Sequence, residues 1–456
     1  MASYAILKLN KKTSLAIILV FTTVVVFDSS IVTFSSYSGI ELPISLNVTV
    51  FVIFYIIFVA ISALLLISAS RVTSRDRDRP SRLRLVYVQG GIIATQILTS
   101  ALILAIILQM LLLNRYSISL LNAQTYLHHF SALVFVSLLV FLFLKWLASK
   151  RSYTVVLYTL AFALSCVNLM ISFLYLESYL SSSFLPDVNS YPITNIVTNS
   201  AGLPFPESLT PAFDALSLCS FLCLWIATAL LLSQYRYKMG RIKYFSFLAI
   251  PLIYYIFPFE NYFGNVFYPL LPSSPLFVSL MYVIIFSATK QVGALVFSLV
   301  FWTASSMVYQ DRIRKSLLLS SIGISIFYGS IAIAPLQFHV YPPYGLITEA
   351  FLPLGSYLLF IGIFTSGKHI SRDSEVRKEL YKNAASQLAL LKAIGVSQME
   401  KELEAQAESL EKRFKPFETT DEPDLKGGEI KEILHDVLTE LYYSKSKEKT
   451  IGIPDK

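Results

Sequence analysis

Apolar runs of about 20 residues recur along the chain up to Thr365 and then stop. A helix rises about 1.5 Å per residue, so each run matches the roughly 30 Å of a hydrocarbon core. They extend over Ser14 to Phe34, Val48 to Ser70, Leu85 to Leu113, Phe130 to Leu147, Tyr153 to Leu180, Ala212 to Leu232 and Tyr244 to Phe259, then Gln291 to Tyr309, Ser316 to Ala334 and Leu346 to Thr365. An eleventh, from Leu276 to Ala288, is too short to cross. The pattern predicts an all-α polytopic transmembrane bundle of about ten spans plus one half-helix over residues 1–366. A small cytoplasmic helical module follows over 367–456.

The loops alternate in charge. Basic residues cluster before Ser14 and around Arg71 to Arg84, Lys145 to Arg151, Arg236 to Lys243 and Arg312 to Lys315, which assigns those loops to the cytoplasm and leaves only Arg115 and Lys290 outside. Both termini are then cytoplasmic in a multi-pass plasma-membrane protein. An odd number of crossings must separate the loop before Leu276 from the loop at Arg312, so the run before Lys290 reads as re-entrant or interfacial, opened by Pro272 and Pro275. Lys290 then snorkels at the outer interface.

Composition agrees. Hydrophobic residues make up 55% of the chain and charged ones 14%, against about 25% charged in soluble domains. The net charge of +8 divides into +10 over residues 1–366 and −2 beyond, so it orients helices and supplies no nucleic-acid patch. Cys166, Cys219 and Cys223 fall inside apolar runs and read as small buried hydrophobes. Lys8, Lys11 and Lys12 before the first run imitate a secretory signal, but the run is too long for a signal core and reads as an uncleaved helix.

Beyond Gly367 the period becomes that of amphipathic helices, about 371–394, 398–414 and 429–443. Ser371 is placed to cap the first, and Ser397 with Glu400 forms a capping box for the second. These helices serve either as a docking or self-association module or as a cap folded onto the bundle.

Chemistry is sparse. His128, His129 and His339 fall in exterior positions and His369 and His435 in cytoplasmic ones, and no metalloprotease, nucleophile-elbow or phosphate-loop motif occurs. No cofactor, metal or catalytic group is implied. Gln89 and Gln96, beside Gly90 and Gly91, read as glue between closely packed helices. Acids gather towards the outer side: Asp28 about 21 Å along the first helix, Glu177, Asp214 and Glu349 near outer helix ends, and Glu260 just past one, with Lys290 beside them. They suggest an acidic vestibule for a cation, set against ordinary tolerance of acids at depths that reach water.

The last span opens with Tyr341, Pro342, Pro343, Tyr344, Gly345 and Leu346 and continues through Gly355, Ser356, Tyr357 and Leu358. Ser371, Arg372, Asp373, Ser374, Glu375, Val376 and Arg377 follow, then Ile394, Gly395, Gln398, Met399 and Glu400. These residues resemble a group of uncharacterised multi-pass membrane proteins of ammonia-oxidising archaea over the last quarter of the chain. The resemblance implies an archaeal plasma membrane and brings no activity, ligand or site residue.

Two functional expectations result. The first is a non-enzymatic scaffold, assembly or sensor protein, embedded in the lipid bilayer and coupled to a partner or a second copy through its tail. The alternative is a cation-linked transporter or channel, with an enzyme acting on lipid-linked substrates in third place.

Overall fold

The computed structural model describes residues 9–38, 43–73, 79–149, 152–181, 209–233, 240–256, 266–282, 288–308, 310–331, 342–372, 394–395 and 397–399. Within them the chain is helical and contains no strand. The long helices are α1 (Lys11–Ser38), α2 (Ile44–Thr73), α3 (Arg79–Leu113), α4 (Ile118–Ser149), α5 (Tyr153–Ser181), α6 (Leu209–Ser233), α7 (Arg241–Ile256), α9 (Ala288–Met307), α10 (Asp311–Ile331) and α12 (Leu352–Arg372). Two short ones, α8 (Pro275–Tyr282) and α11 (Leu346–Ala350), complete the set.

Six stretches are long and apolar enough to cross a membrane: Ser45–Thr73, Leu85–Leu113, Ile118–Ala148, Tyr153–Leu174, Pro211–Ser233 and Leu346–Ser371. The protein is an all-helical membrane protein. Within α9 a shorter apolar stretch, Gln291–Ser306, falls below that length, and α1, α7 and α10 occupy the places of the remaining expected runs. The short run before Lys290 becomes α8, which starts at Pro275 as expected, ends at Tyr282 and packs along α1.

Several helices extend past their apolar runs because polar residues cap or pack them. Asn10 and Thr13 exchange bonds at the start of α1, where the Thr13 N–H donates to Asn10 Oδ1 at 2.9 Å and the Asn10 N–H to Thr13 Oγ1 at 2.8 Å. In α4 the helix begins twelve residues before the apolar run, at Ile118, and takes in Gln124, Thr125, His128 and His129, all of them buried. The two histidines are therefore not exterior loop residues: the face that carries them is covered by protein.

At the centre lies α12, flanked by α2, α3, α4 and α10. From Pro342 to Ile363 every residue is buried, as expected of a helix apolar on all sides. Its side chains enter two apolar clusters. Leu359, Phe360, Ile363 and Ile370 join residues of α4, α5, α6, α7, α9 and α10. On the other side, Leu354, Tyr357, Leu358 and Ile361 join those of α1, α2, α3 and α4.

Small residues let α10 and α12 approach to backbone contact. A methyl group on Gly355 would lie 2.7 Å from Phe327 N, one on Gly362 would lie 2.6 Å from Ser316 O, and one on Gly323 would lie 2.9 Å from Leu358 C. By contrast, a methyl group on Gly90 or Gly91 meets nothing within 4 Å, so α3 is not closely packed there. Nor is the Gln89 and Gln96 face a uniform glue: Gln89 Oε1 accepts from the Thr73 hydroxyl at 3.3 Å, and both side-chain polar atoms of buried Gln96 lack a partner among the described residues. Cys219 is exposed and Cys166 and Cys223 are half-buried, so none is the fully buried hydrophobe expected.

Along α1 and the last helix the contacts run in opposite directions: Phe21 meets Phe351, with ring centroids 5.3 Å apart, and Asp28 meets Gly345. The start of α1 and the end of α12 thus share one end of the bundle. At that end Ile394 and Gly395 lie against Gly367, Trp146 and Ile370. Ser397 donates to the Trp146 carbonyl at 3.1 Å, and the Trp146 indole N–H donates to Gln398 Oε1 at 3.3 Å. Ser371 is not a helix cap; it sits in the last turn of α12 and donates to the Lys368 carbonyl at 2.9 Å. The remainder of the expected tail helices, with Glu400 and His435, lies outside the described residues.

Candidate functional site

Two prolines and a glycine shape the entry to the last span. Pro342 and Pro343 restrict the backbone, the Tyr344 N–H closes onto the Pro342 carbonyl at 2.8 Å, and Gly345 turns at φ 93°, in the left-handed region that lacks a Cβ penalty only for glycine. This turn is buried, and the Tyr344 hydroxyl donates to the Asn47 carbonyl of α2 at 2.9 Å. A second proline effect follows inside the helix. Pro353 has no N–H to give the Glu349 carbonyl four residues back, so one helical hydrogen bond is missing where α11 passes into α12 through the helical residue Phe351, whose N–H donates to Thr348 O at 3.2 Å in a tightened turn.

Into this turn reaches Asp28 from α1, fully buried. Its Oδ1 accepts the Gly345 N–H at 3.0 Å; its Oδ2 accepts the Thr348 N–H at 3.0 Å and the Thr348 hydroxyl at 2.6 Å. Both carboxylate oxygens are satisfied, and the two backbone donors would otherwise be orphans at the helix start.

Glu349 is the next residue along, 1% exposed, with neither Oε1 nor Oε2 bonded to any described residue. Helical side chains lean towards the N-terminus, which carries Glu349 back over Gly345, the residue whose N–H Asp28 accepts. Glu349 is therefore not at a depth that reaches water: it is sealed inside the bundle.

Of the six vestibule residues expected from the sequence, the structure brings Asp28 and Glu349 together. Glu177, Asp214 and Lys290 lie on α5, α6 and α9, with side chains outside the described residues, and Glu260 is outside them altogether. Gln291, the neighbour of Lys290, is buried against α10, where its Nε2 donates to the Gly329 carbonyl at 3.2 Å beside Phe21.

A second buried polar group lies on α4. Gln124 and His128 are hydrogen-bonded through their Nε2 atoms, and His129 Nδ1 pairs with the Thr125 carbonyl at 3.0 Å. Phe135, seven residues after His128 on the same face, packs edge-on against Tyr357 with centroids 5.5 Å apart, and α4 touches α11. No group of three or more His, Cys, Asp or Glu among the described residues is placed to hold a metal ion.

Thr348 and the Gly345 backbone, the groups that hold Asp28, escape a search for charged or metal-binding residues. The signal that could have found them is the turn itself, since a Pro-Pro-x-Gly entry leaves backbone N–H groups in need of an acceptor. Comparison with known protein families, with curated proteins and with solved structures finds no match to this chain.

Proposed function

We propose that the protein is a cation-linked membrane transporter whose ion site is the Asp28 and Glu349 pair. The observation that carries this reading is the Glu349 carboxyl, buried and without a hydrogen-bond partner among the described residues, one residue after the Thr348 that holds Asp28. An ionisable group in a bundle interior is costly, and a structural role would be served better by an apolar side chain of similar size. About ten spans, with both termini in the cytoplasm and the acid pair towards the outside, fit the charge of the loops.

A second reading, a scaffold or sensor coupled to its tail, is favoured by the bonds of Ser397 and Gln398 to Trp146. The two are compatible, since α12 connects the acid pair to the tail joint.

The test is charge displacement on a solid-supported membrane, using the full-length chain in proteoliposomes and jumps of Na+, K+ or pH. Wild type gives a current for at least one ion, and Glu349→Gln abolishes it. Silence to all three jumps overturns the transport reading.

A further inference from the structure

We propose that the ion bound at this site is a proton, held by the Glu349 carboxyl while Asp28 stays a fixed carboxylate; this names the ion of the transport reading and rests on it. The distribution of donors separates the two acids. Among the described residues three donors reach the pair, the N–H groups of Gly345 and Thr348 and the Thr348 hydroxyl, and all go to Asp28. Such an arrangement stabilises a negative charge, and it leaves none for Glu349. A second carboxylate beside the first, with no donor to either oxygen, would face both the desolvation of burial and the repulsion of a like charge. Taking up a proton removes both penalties, and releasing it restores the carboxylate, with no other bond made or broken.

Metal cations fit the same surroundings poorly. Hard cations gather about six oxygens, whereas of the chain neighbours of Glu349 only Thr348 carries a side-chain oxygen, the others being Leu346, Ile347, Ala350 and Phe351. A proton needs no coordination shell.

Among the described residues, the charged and titratable groups on the packed elements are few. Asp28 comes from α1 and Tyr344 from the turn itself; α2 contributes the Asn47 carbonyl. Along α4, His128 lies one heptad before Phe135 with His129 next to it, while the ionic residues Asp311, Arg312, Arg314 and Lys315 of α10 occupy its opposite end. From α9, Lys290 has its side chain outside the described residues.

The experiment is infrared difference spectroscopy across a pH jump on the full-length protein in bilayers. Wild type shows the carbonyl band of a protonated carboxylic acid, Glu349→Gln loses it, and Asp28→Asn keeps it. Glu349→Asp retains a band at shifted frequency, which separates loss of the site from loss of the fold. An unchanged band in Glu349→Gln overturns the proposal. So does a Glu349-dependent current driven by Na+ or K+ at constant pH with none driven by pH, and that result leaves the transport reading standing. A band lost in Glu349→Gln with no current from any jump keeps the proton on Glu349 and overturns transport instead.

Discussion

Asp28 on α1 accepts the backbone N–H of Gly345 at 3.0 Å, across 317 residues of sequence, and so ties the start of the last membrane helix to α1. Together with the two bonds from Thr348, this contact satisfies every donor that the turn presents to α1.

Replacing Asp28 with alanine therefore strands three buried donors. At about 1–3 kcal/mol for each unsatisfied group, the loss is at least ~3 kcal/mol. Thermal unfolding in detergent should show a marked drop for Asp28→Ala. Retention of the wild-type midpoint would mean that the cap contributes nothing.

Glycines on α12 and α3 predict opposite effects. Gly362→Ala drives a methyl group into Ser316 O and Ser320 N and should destabilise by ~1–3 kcal/mol. Gly90→Ala and Gly91→Ala place theirs in open space, where helix propensity favours alanine by up to ~1 kcal/mol. Equal midpoints for the three variants would contradict the backbone contact between α10 and α12.

At the tail joint, Trp146→Ala removes a fully buried side chain and should cost ~3–5 kcal/mol. Trp146→Phe keeps most of the packing and loses the bond to Gln398, about 1 kcal/mol. Hydrogen exchange at residues 394–399 should accelerate strongly in the alanine variant and mildly in the phenylalanine one. Unaltered protection in both would show that the joint does not hold the tail.

Asp311 opens α10 and pairs with Lys315 and Arg314, which hold its carboxyl below the usual carboxylate range; the Lys315 hydrogen bond is the largest cause. A depressed carboxyl stabilises above its unfolded value of about 3.9, and that stability is lost as pH falls through the lower folded value. The side chain is 46% exposed, so the contribution at neutral pH is at most ~1 kcal/mol. Asp311→Asn should differ from wild type by no more than this at pH 7, with the gap closing in acid and in high salt. A gap that widens in acid would reverse the sign.

The sequence by itself determined the solvent and the helices. Runs of Leu, Ile, Val and Phe longer than about 18 residues belong in lipid whatever their neighbours, and the six stretches that meet this measure coincide with expected runs. It also singled out Asp28 and Glu349, because charge inside an apolar run is visible one residue at a time. What it could not supply was depth. His128 and His129 looked exterior because polarity marks the end of an apolar run, yet α4 continues past them with its polar face covered by protein. Glu349 looked shallow for the same reason. Hydropathy records how a residue interacts with solvent, not which neighbouring helix replaces that solvent. Only the tertiary structure decided that Asp28 meets the Gly345 turn, that α10 and α12 touch through Gly355 and Gly362, and that Trp146 receives Ser397 and Gln398. Each of these contacts joins segments far apart in the chain, where no periodicity can link one partner to the other.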